Sequence, residues 1–235
     1  MSAYLILLGW SLIYFTWSYI EANRSRIITQ LQMQNDMQDL ELKSMRSNLQ
    51  PHFIFNSLNS IRALIKEDPD SARVAVTKLS KLLRTSISTK DDSINLETEL
   101  QLVENYLHLE KIRFEERLQY NFEIEAKTRS MMVPPMLLQN MVENAVKHGI
   151  SLREQGGTIW IRSLAEGDFI KITIENEGTI NEENKLKGTG FGMSSSQKRL
   201  KHLYPSAPDI IMRESNHPRV VVEIRIPNKI KPYDN

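Results

Sequence analysis

A chain of 235 residues is long enough for one large or two small domains. Its 30 basic and 29 acidic residues leave a net charge of only +1, so bulk charge gives no reason to expect nucleic-acid binding. The lack of cysteine excludes a disulfide scaffold and a thiolate metal site, as suits a reducing cytosol, and the five histidines show no zinc-ligand spacing.

Residues 3–20 carry no charge and are rich in Leu, Ile, Tyr, Phe and Trp. A membrane helix needs about 20 such residues, so this run predicts one, with Trp10, Trp17 and Tyr19 near an interface. A signal peptide fits less well, for want of a basic start and a small-residue cleavage site; a buried core helix is the remaining alternative. Arg24 and Arg26 follow the run and no basic residue precedes it, which puts everything after residue 20 in the cytoplasm.

From Asn23 to about Lys66 the chain reads as one long helix, a signal rod whose residues 27–50 contain no Gly or Pro. Leu42, Met45 and Leu49 form one seam, and Pro51 predicts a kink. Asp68-Pro69-Asp70 breaks the pattern. A helix resumes over Ser71–Ser88 with Val76, Leu79 and Leu83 on its apolar stripe. The next helix bears Leu96, Leu100, Val103 and Leu107 and is entered from Asn95 as N-cap. Residues 23–116 thus read as an all-helical bundle.

After Arg117 the character changes. Residues 118–125 alternate like a strand. Pro134-Pro135 opens a helix that runs to His148 and stops at Gly149. Strands over 158–164 and 169–176 flank a turn at Glu166-Gly167-Asp168. A polar, glycine-bearing loop spans 177–192. A helix runs from Ser194 to about Tyr204, and strands at 209–213 and 220–226 close the domain.

Three clusters bear chemistry. On the first, His52, Asn56, Asn59 and Ala63 share one helix face, while Ile54, Leu58, Ile61 and Ile65 share the opposite one. His52 therefore projects from the polar side. Near neutral pH an imidazole nitrogen can attack phosphorus, and Asn56, one turn on, can orient the ring. An ordinary surface histidine has the same pattern, so the helix face alone does not decide between them.

On the second, Asn140, Glu143, Asn144 and Lys147 recur every three or four residues of the helix after Pro135. Asn144 offers a neutral oxygen suited to Mg²⁺, which also takes water and phosphate oxygens. Lys147 and His148 can neutralise phosphate charge, and Glu143 can organise a water. A polar helix face at a domain surface looks much the same.

The third is Gly188-Thr189-Gly190-Phe191-Gly192, leading into a helix. Glycines let backbone approach a phosphate, and a helix N-terminus favours an anion. At a strand end, Asn176 can accept from an adenine amino group and Gly178 can admit the ring. Other phosphoryl-transfer signatures are missing: there is no P-loop, no H-R-D, no D-F-G and no early glycine fingerprint.

Taken in order, these segments resemble the LytS/YehU-type sensor histidine kinases. Leu49 to Ile61 is similar to their phosphoacceptor box. Leu96-Glu-Thr-Glu-Leu100, Glu104-Asn-Tyr106-Leu and Arg113-Phe114 resemble the helix that ends their dimerisation module. Pro134 to Gly149 is similar to their N box, and Gly188 to Met193, with Arg199-Leu200 and Tyr204, to their second glycine box and the helix after it. The resemblance covers residues 40–228. It implies an α+β chain: an N-terminal transmembrane helix and a helical dimerisation and phosphoacceptor bundle, followed by a GHKL (Bergerat) α/β sandwich shared with gyrase and MutL. The expected layout is a membrane helix at 1–22, a linker at 23–45, the dimerisation and phosphoacceptor domain at 46–125, the ATP-binding domain at 126–230 and a tail at 231–235. The resemblance further implies ATP and Mg²⁺ as cofactors, a homodimer in the inner (cytoplasmic) membrane, and autophosphorylation on His52. Transfer to a response-regulator aspartate would follow, LytTR-type regulators among the partners, with no direct nucleic-acid contact.

The sequence departs from the family pattern at several points. Asn176 stands where many such ATPases have Asp, Asn140 where proline is frequent and Ser195 where Asn is usual. Asn216 to Arg219 replaces a Gly-Gly-Thr turn, and a single membrane helix stands in for several. Two competing readings are a degenerate ATP-binding membrane scaffold and an ATPase machine on the same nucleotide fold. The phosphoacceptor-like helix has no use in the second.

Overall fold

The computed structural model describes residues 51–88, 91–179, 191–215 and 218–227, and near the N-terminus 10, 12, 14–21, 23 and 24. The chain divides into two units, Met1–Gln50 and Pro51–Asn235. In the first, residues 14–21 are helical and Trp10, Phe15, Trp17 and Tyr19 are exposed. No helix among the described residues is long and apolar enough to cross a membrane. Half of the predicted span over 3–20, the rod over 27–50 and the approach to Pro51 lie outside the described residues.

The second unit opens with a helical hairpin, α1 (Pro51–Glu67) and α2 (Pro69–Ser88). Asp68 alone joins them, and it caps α2: its carboxylate accepts from the Ser71 backbone N–H at 3.1 Å and from the Ser71 hydroxyl at 2.6 Å. Those bonds hold the Asp68 carboxyl below its ordinary value. Pro69 fits directly after the cap, where a missing N–H costs nothing.

Both hairpin helices turn inward a face only partly shared with the stripe their periodicity predicts. On α2 Leu79 is buried and Leu83 packs against the core as predicted, joined by Ala72, Ala75 and Leu82, whereas Val76 is exposed. On α1 the inward residues are Phe53, Ser57 and Ile61, and Leu58 and Ile65 are half-exposed. Of the aliphatic stripe Ile54, Leu58, Ile61 and Ile65, only Ile61 is buried. The reason lies in packing: Phe53 meets the ring of Tyr106 at a centroid distance of 4.9 Å, and small Ser57 lets the helices approach. The rest of the stripe joins exposed Phe55, Val74 and Val76 as apolar surface.

The third helix, α3 (Leu96–Phe114), follows a two-residue strand β1 (Ile94–Asn95). Asn95 is its N-cap, accepting from the Thr98 N–H at 3.0 Å, a bond worth about 1 kcal/mol. Leu96, Leu100, Val103 and Leu107 are all buried, as the sequence predicts. Leu102, Tyr106 and Leu109 are buried too, because α1 and α2 pack on one side of α3 and the helix over 137–148 on the other.

Next come β2 (Leu118–Ile124), β3 (Met132–Val133), α4 (Leu137–His148), β4 (Gly157–Glu166), β5 (Phe169–Glu177), α5 (Phe191–Leu203), β6 (Ile211–Glu214) and β7 (Arg219–Pro227). Five strands form one sheet in the order β2-β4-β5-β7-β6, with β3 pairing β1 separately. Only β2 and β4 run parallel within the large sheet. Ile159, Ile161, Ile170, Ile172, Ile174, Val222, Ile224 and Ile226 line its buried face, and α4 and α5 supply Val142, Val146 and Leu200 to the same core. On the other face an ionic ladder runs Glu123–Arg162–Glu175–Arg219 at 3.0, 2.8 and 2.8 Å, with Arg219 over the Trp160 ring. The chain is therefore α+β, a helical part followed by a sheet with its helices on one face.

Candidate active site

His52 sits in the first turn of α1, exposed to solvent. The Asn56 side-chain amide lies 3.1 Å from its Nδ1 and 3.3 Å from its Nε2, which sets the ring against the helix one turn below. The i, i+4 spacing brings these two side chains together.

The α4 helix carries the second cluster, and its beginning is unusual. Met136, the residue before the helix, is left-handed at φ 61 and offers no side-chain cap. The cap comes from another element. Glu99, on α3, accepts from the backbone N–H groups of Met136 at 3.0 Å, Leu138 at 3.0 Å and Gln139 at 3.1 Å. Glu99 is fully buried. Burial pushes its carboxyl up to about 7, against the pull of those three donors and of the Arg199 guanidinium on α5.

Along α4, Asn140 donates to the buried Ser196 hydroxyl of α5 at 3.0 Å, and Glu143 accepts from Gln139 at 3.0 Å. Asn144 is half-buried and its side chain makes no hydrogen bond among the described residues, while Lys147 and His148 are exposed. Burial, and then the Lys147 charge, lower the His148 pKa. Behind this face lies Glu110 of α3, nearly buried and 2.9 Å from Arg113. Burial pushes it up to about 7, with Arg113 opposing and Glu143 adding to the rise. Tyr106, which packs on Phe53 beside His52, feels both carboxylates.

Gly149 ends α4 against the end of β5. A Cβ there would fall 2.2 Å from the Asn176 amide nitrogen and 2.6 Å from the Ala145 carbonyl oxygen. Asn176 is buried and donates through Nδ2 to the Glu177 carbonyl at 3.0 Å, leaving Oδ1 as its acceptor end. Gly178 adopts φ 148 and donates to the Pro218 carbonyl at 2.9 Å. Asn176, Gly178 and Gly149 are thus brought together. Gly188, Thr189 and Gly190 lie outside the described residues. Phe191 and Gly192 belong to the first turn of α5, three residues before the predicted start at Ser194. Gly192 lies beside Asn140: a Cβ on it would stand 3.8 Å from the Asn140 side chain.

Residues 40–118 match the histidine kinase family model. The sensor protein LytS of Streptococcus mutans is 37% identical over 182 residues, 72% of this chain and 31% of that protein. This chain is a relative of the LytS histidine kinases. The sensor histidine kinase/phosphatase LytS of Staphylococcus aureus is 34% identical over 181 residues, again 72% of this chain and 31% of that protein. The chain therefore spans under a third of the length of the LytS proteins it matches. A looser likeness is to the catalytic domain of histidine kinase ThkA, 26% identical, covering 58% of this chain and 94% of that one, at a TM-score of 0.44. The structure adds a role for two residues that motif reading did not single out, Glu99 and Ser196. Both hold α4 through contacts distant in sequence.

Proposed function

We propose that this chain is the kinase core of a membrane-anchored sensor, moving the γ-phosphate of ATP onto His52. The observation that carries the reading is the exposed imidazole of His52 with the Asn56 amide at 3.1 Å, in a segment that matches the histidine kinase family. A lone pair on one ring nitrogen forms the N–P bond while the bond from the γ-phosphorus to the ADP oxygen breaks. When the Asn56 amide donates to Nδ1, the ring proton sits on Nε2. Half a turn of the amide puts Oδ1 there instead, moves the proton to Nδ1 and frees the Nε2 lone pair for attack.

The GHKL sandwich is the proposed identity of the sheet with α4 and α5. Adenine would lie against Asn176, Gly178 and Gly149. Asn140, Lys147, His148 and the 188–192 glycine segment, with Thr189 and Phe191, would face the phosphates, and Glu143 would organise a water. The donor set suits Mg²⁺ that is held chiefly by phosphates and water: Asn144 keeps an uncommitted amide oxygen, and no cluster of three or more acidic or histidine ligands exists among the described residues. Bound there, Mg²⁺ would neutralise phosphate charge.

The apolar surface of Phe55, Leu58, Ile65, Val74 and Val76 supports a homodimer built on α1 and α2, and the uncharged run at 3–20 supports a membrane anchor in the inner membrane. The domain layout set out from the sequence, and passage of the phosphate to a response-regulator aspartate, LytTR-type proteins among the candidates, belong to the same proposal.

The test is to incubate the whole chain, in lipid nanodiscs, with γ-labelled ATP. Acid-labile, base-stable label that vanishes in His52→Gln is the expected result. Nucleotide binding with no phosphoprotein would make the chain a scaffold and end the kinase reading.

A further inference from the structure

A helix that starts without its own cap leaves backbone N–H groups in need of acceptors. At the start of α4 those acceptors come from α3, 37 to 40 residues earlier in the chain. The two helix starts are also laced together from the other side. β1 pairs with β3 in the register Ile94↔Val133 and Asn95↔Met132, and the first N–H groups of α3, Leu96 and Glu97, donate to the Met131 and Arg129 carbonyls at 2.7 and 2.9 Å. Glu97 also pairs with Arg129. The orphan donors of α3 are thus satisfied by the segment leading into α4, and those of α4 by a side chain in the first turn of α3. A carboxylate with two oxygens aimed at three N–H groups is a stiff joint, since no water or mobile side chain intervenes. The charged group facing Glu99 from α5 is Arg199, whose Nε is buried with no hydrogen-bond partner among the described residues, so α5 also feels this one carboxylate.

We infer that Glu99 is a positioning residue for the nucleotide helix: from α3 it fixes the first turn of α4, so that a shift of α3 is transmitted to Asn140 and Asn144. The inference rests on the nucleotide reading of α4 given above. Because α3 also packs on α1, which carries His52, Glu99 couples the phosphoacceptor side of the molecule to nucleotide affinity. It acts on binding rather than on the reacting atoms.

The experiment compares wild type, Glu99→Gln and Glu99→Ala with Glu104→Gln, an exposed change on the same helix, using the whole chain. Hydrogen exchange reads amides 136, 138 and 139, calorimetry with Mg²⁺ and ATP reads affinity, and His52 labelling at saturating ATP reads the rate. Glu99→Gln is expected to speed exchange at those three amides about tenfold while distant amides keep theirs. ATP affinity should fall about fivefold or more, as one unmade buried hydrogen bond implies, with the saturated rate within about twofold of wild type. Glu104→Gln should change none of these. Unchanged exchange and affinity in both Glu99 variants would overturn the inference, and so would a uniform rise in exchange across the chain, which would reduce Glu99 to fold maintenance. If wild type itself binds no ATP, the nucleotide reading fails, and the exchange arm still decides whether Glu99 holds the helix start.

Discussion

Asn140 donates its side-chain amide to the hydroxyl of Ser196 at 3.0 Å, and that bond joins α4 to α5. Ser196 is fully buried, so its hydroxyl has no water to fall back on. Replacing it with alanine leaves an Asn140 donor unpaired and should cost about 1 kcal/mol of stability. Urea unfolding of Ser196→Ala, Asn140→Ala and the double variant measures it. The double variant should lose less than the sum of the two single losses, whereas strict additivity would mean the two side chains do not interact in solution.

Acid should favour this fold more than carboxylate-rich proteins usually allow. Burial raises Glu99 and Glu110 from 4.5 to about 7. A carboxyl whose folded pKa lies above its unfolded one contributes stability that is whole below about 4.5 and is lost as pH rises through about 7. Between pH 5 and 8 these two residues should therefore tilt the stability curve downward. The double variant Glu99→Gln, Glu110→Gln should show a flatter curve over the same range, read by urea midpoints at a series of pH values. An equal slope in the variant would show that other groups set it.

Gly149→Ala is the sharpest steric test of the proposed adenine end. Its added methyl would sit 2.2 Å from the Asn176 amide and 2.6 Å from a backbone carbonyl, and neither neighbour can retreat without breaking a hydrogen bond. Overpacking of this kind costs about 1–3 kcal/mol. Displacing Asn176 should also abolish measurable ATP binding. Calorimetry together with chemical unfolding separates the two effects, and a variant that binds ATP like wild type would take Asn176 out of the nucleotide site.

What could be read from the sequence follows what is local. Asn95 as a cap, the α3 stripe, the hairpin of β4 and β5 around Gly167, and the stop of α4 at Gly149 all depend on residues within a few positions of one another, and all stand in the structure. The apolar period of α1 and α2 was equally visible, but a period cannot say which neighbour a stripe meets. Phe53 and Ala75 face the chain's own core, while Leu58 and Val76 do not. Glu99 was hidden for the plainest reason: a glutamate in the first turn of an amphipathic helix looks like a surface residue favouring the helix dipole, and its partners lie dozens of residues away.

The one parallel pairing in the sheet has a practical bearing on how the molecule can be cut. β2 leaves the end of α3 almost at once, yet its seven residues register against β4 from Leu118↔Gly157 to Ile124↔Ser163. A recombinant fragment starting at residue 126 would strip that strand away and leave the backbone donors and acceptors of β4 bare along a long apolar edge, the arrangement from which intermolecular strand pairing starts. Beginning instead just before Glu115 keeps the border strand in place, and the soluble yield of the two fragments should differ accordingly.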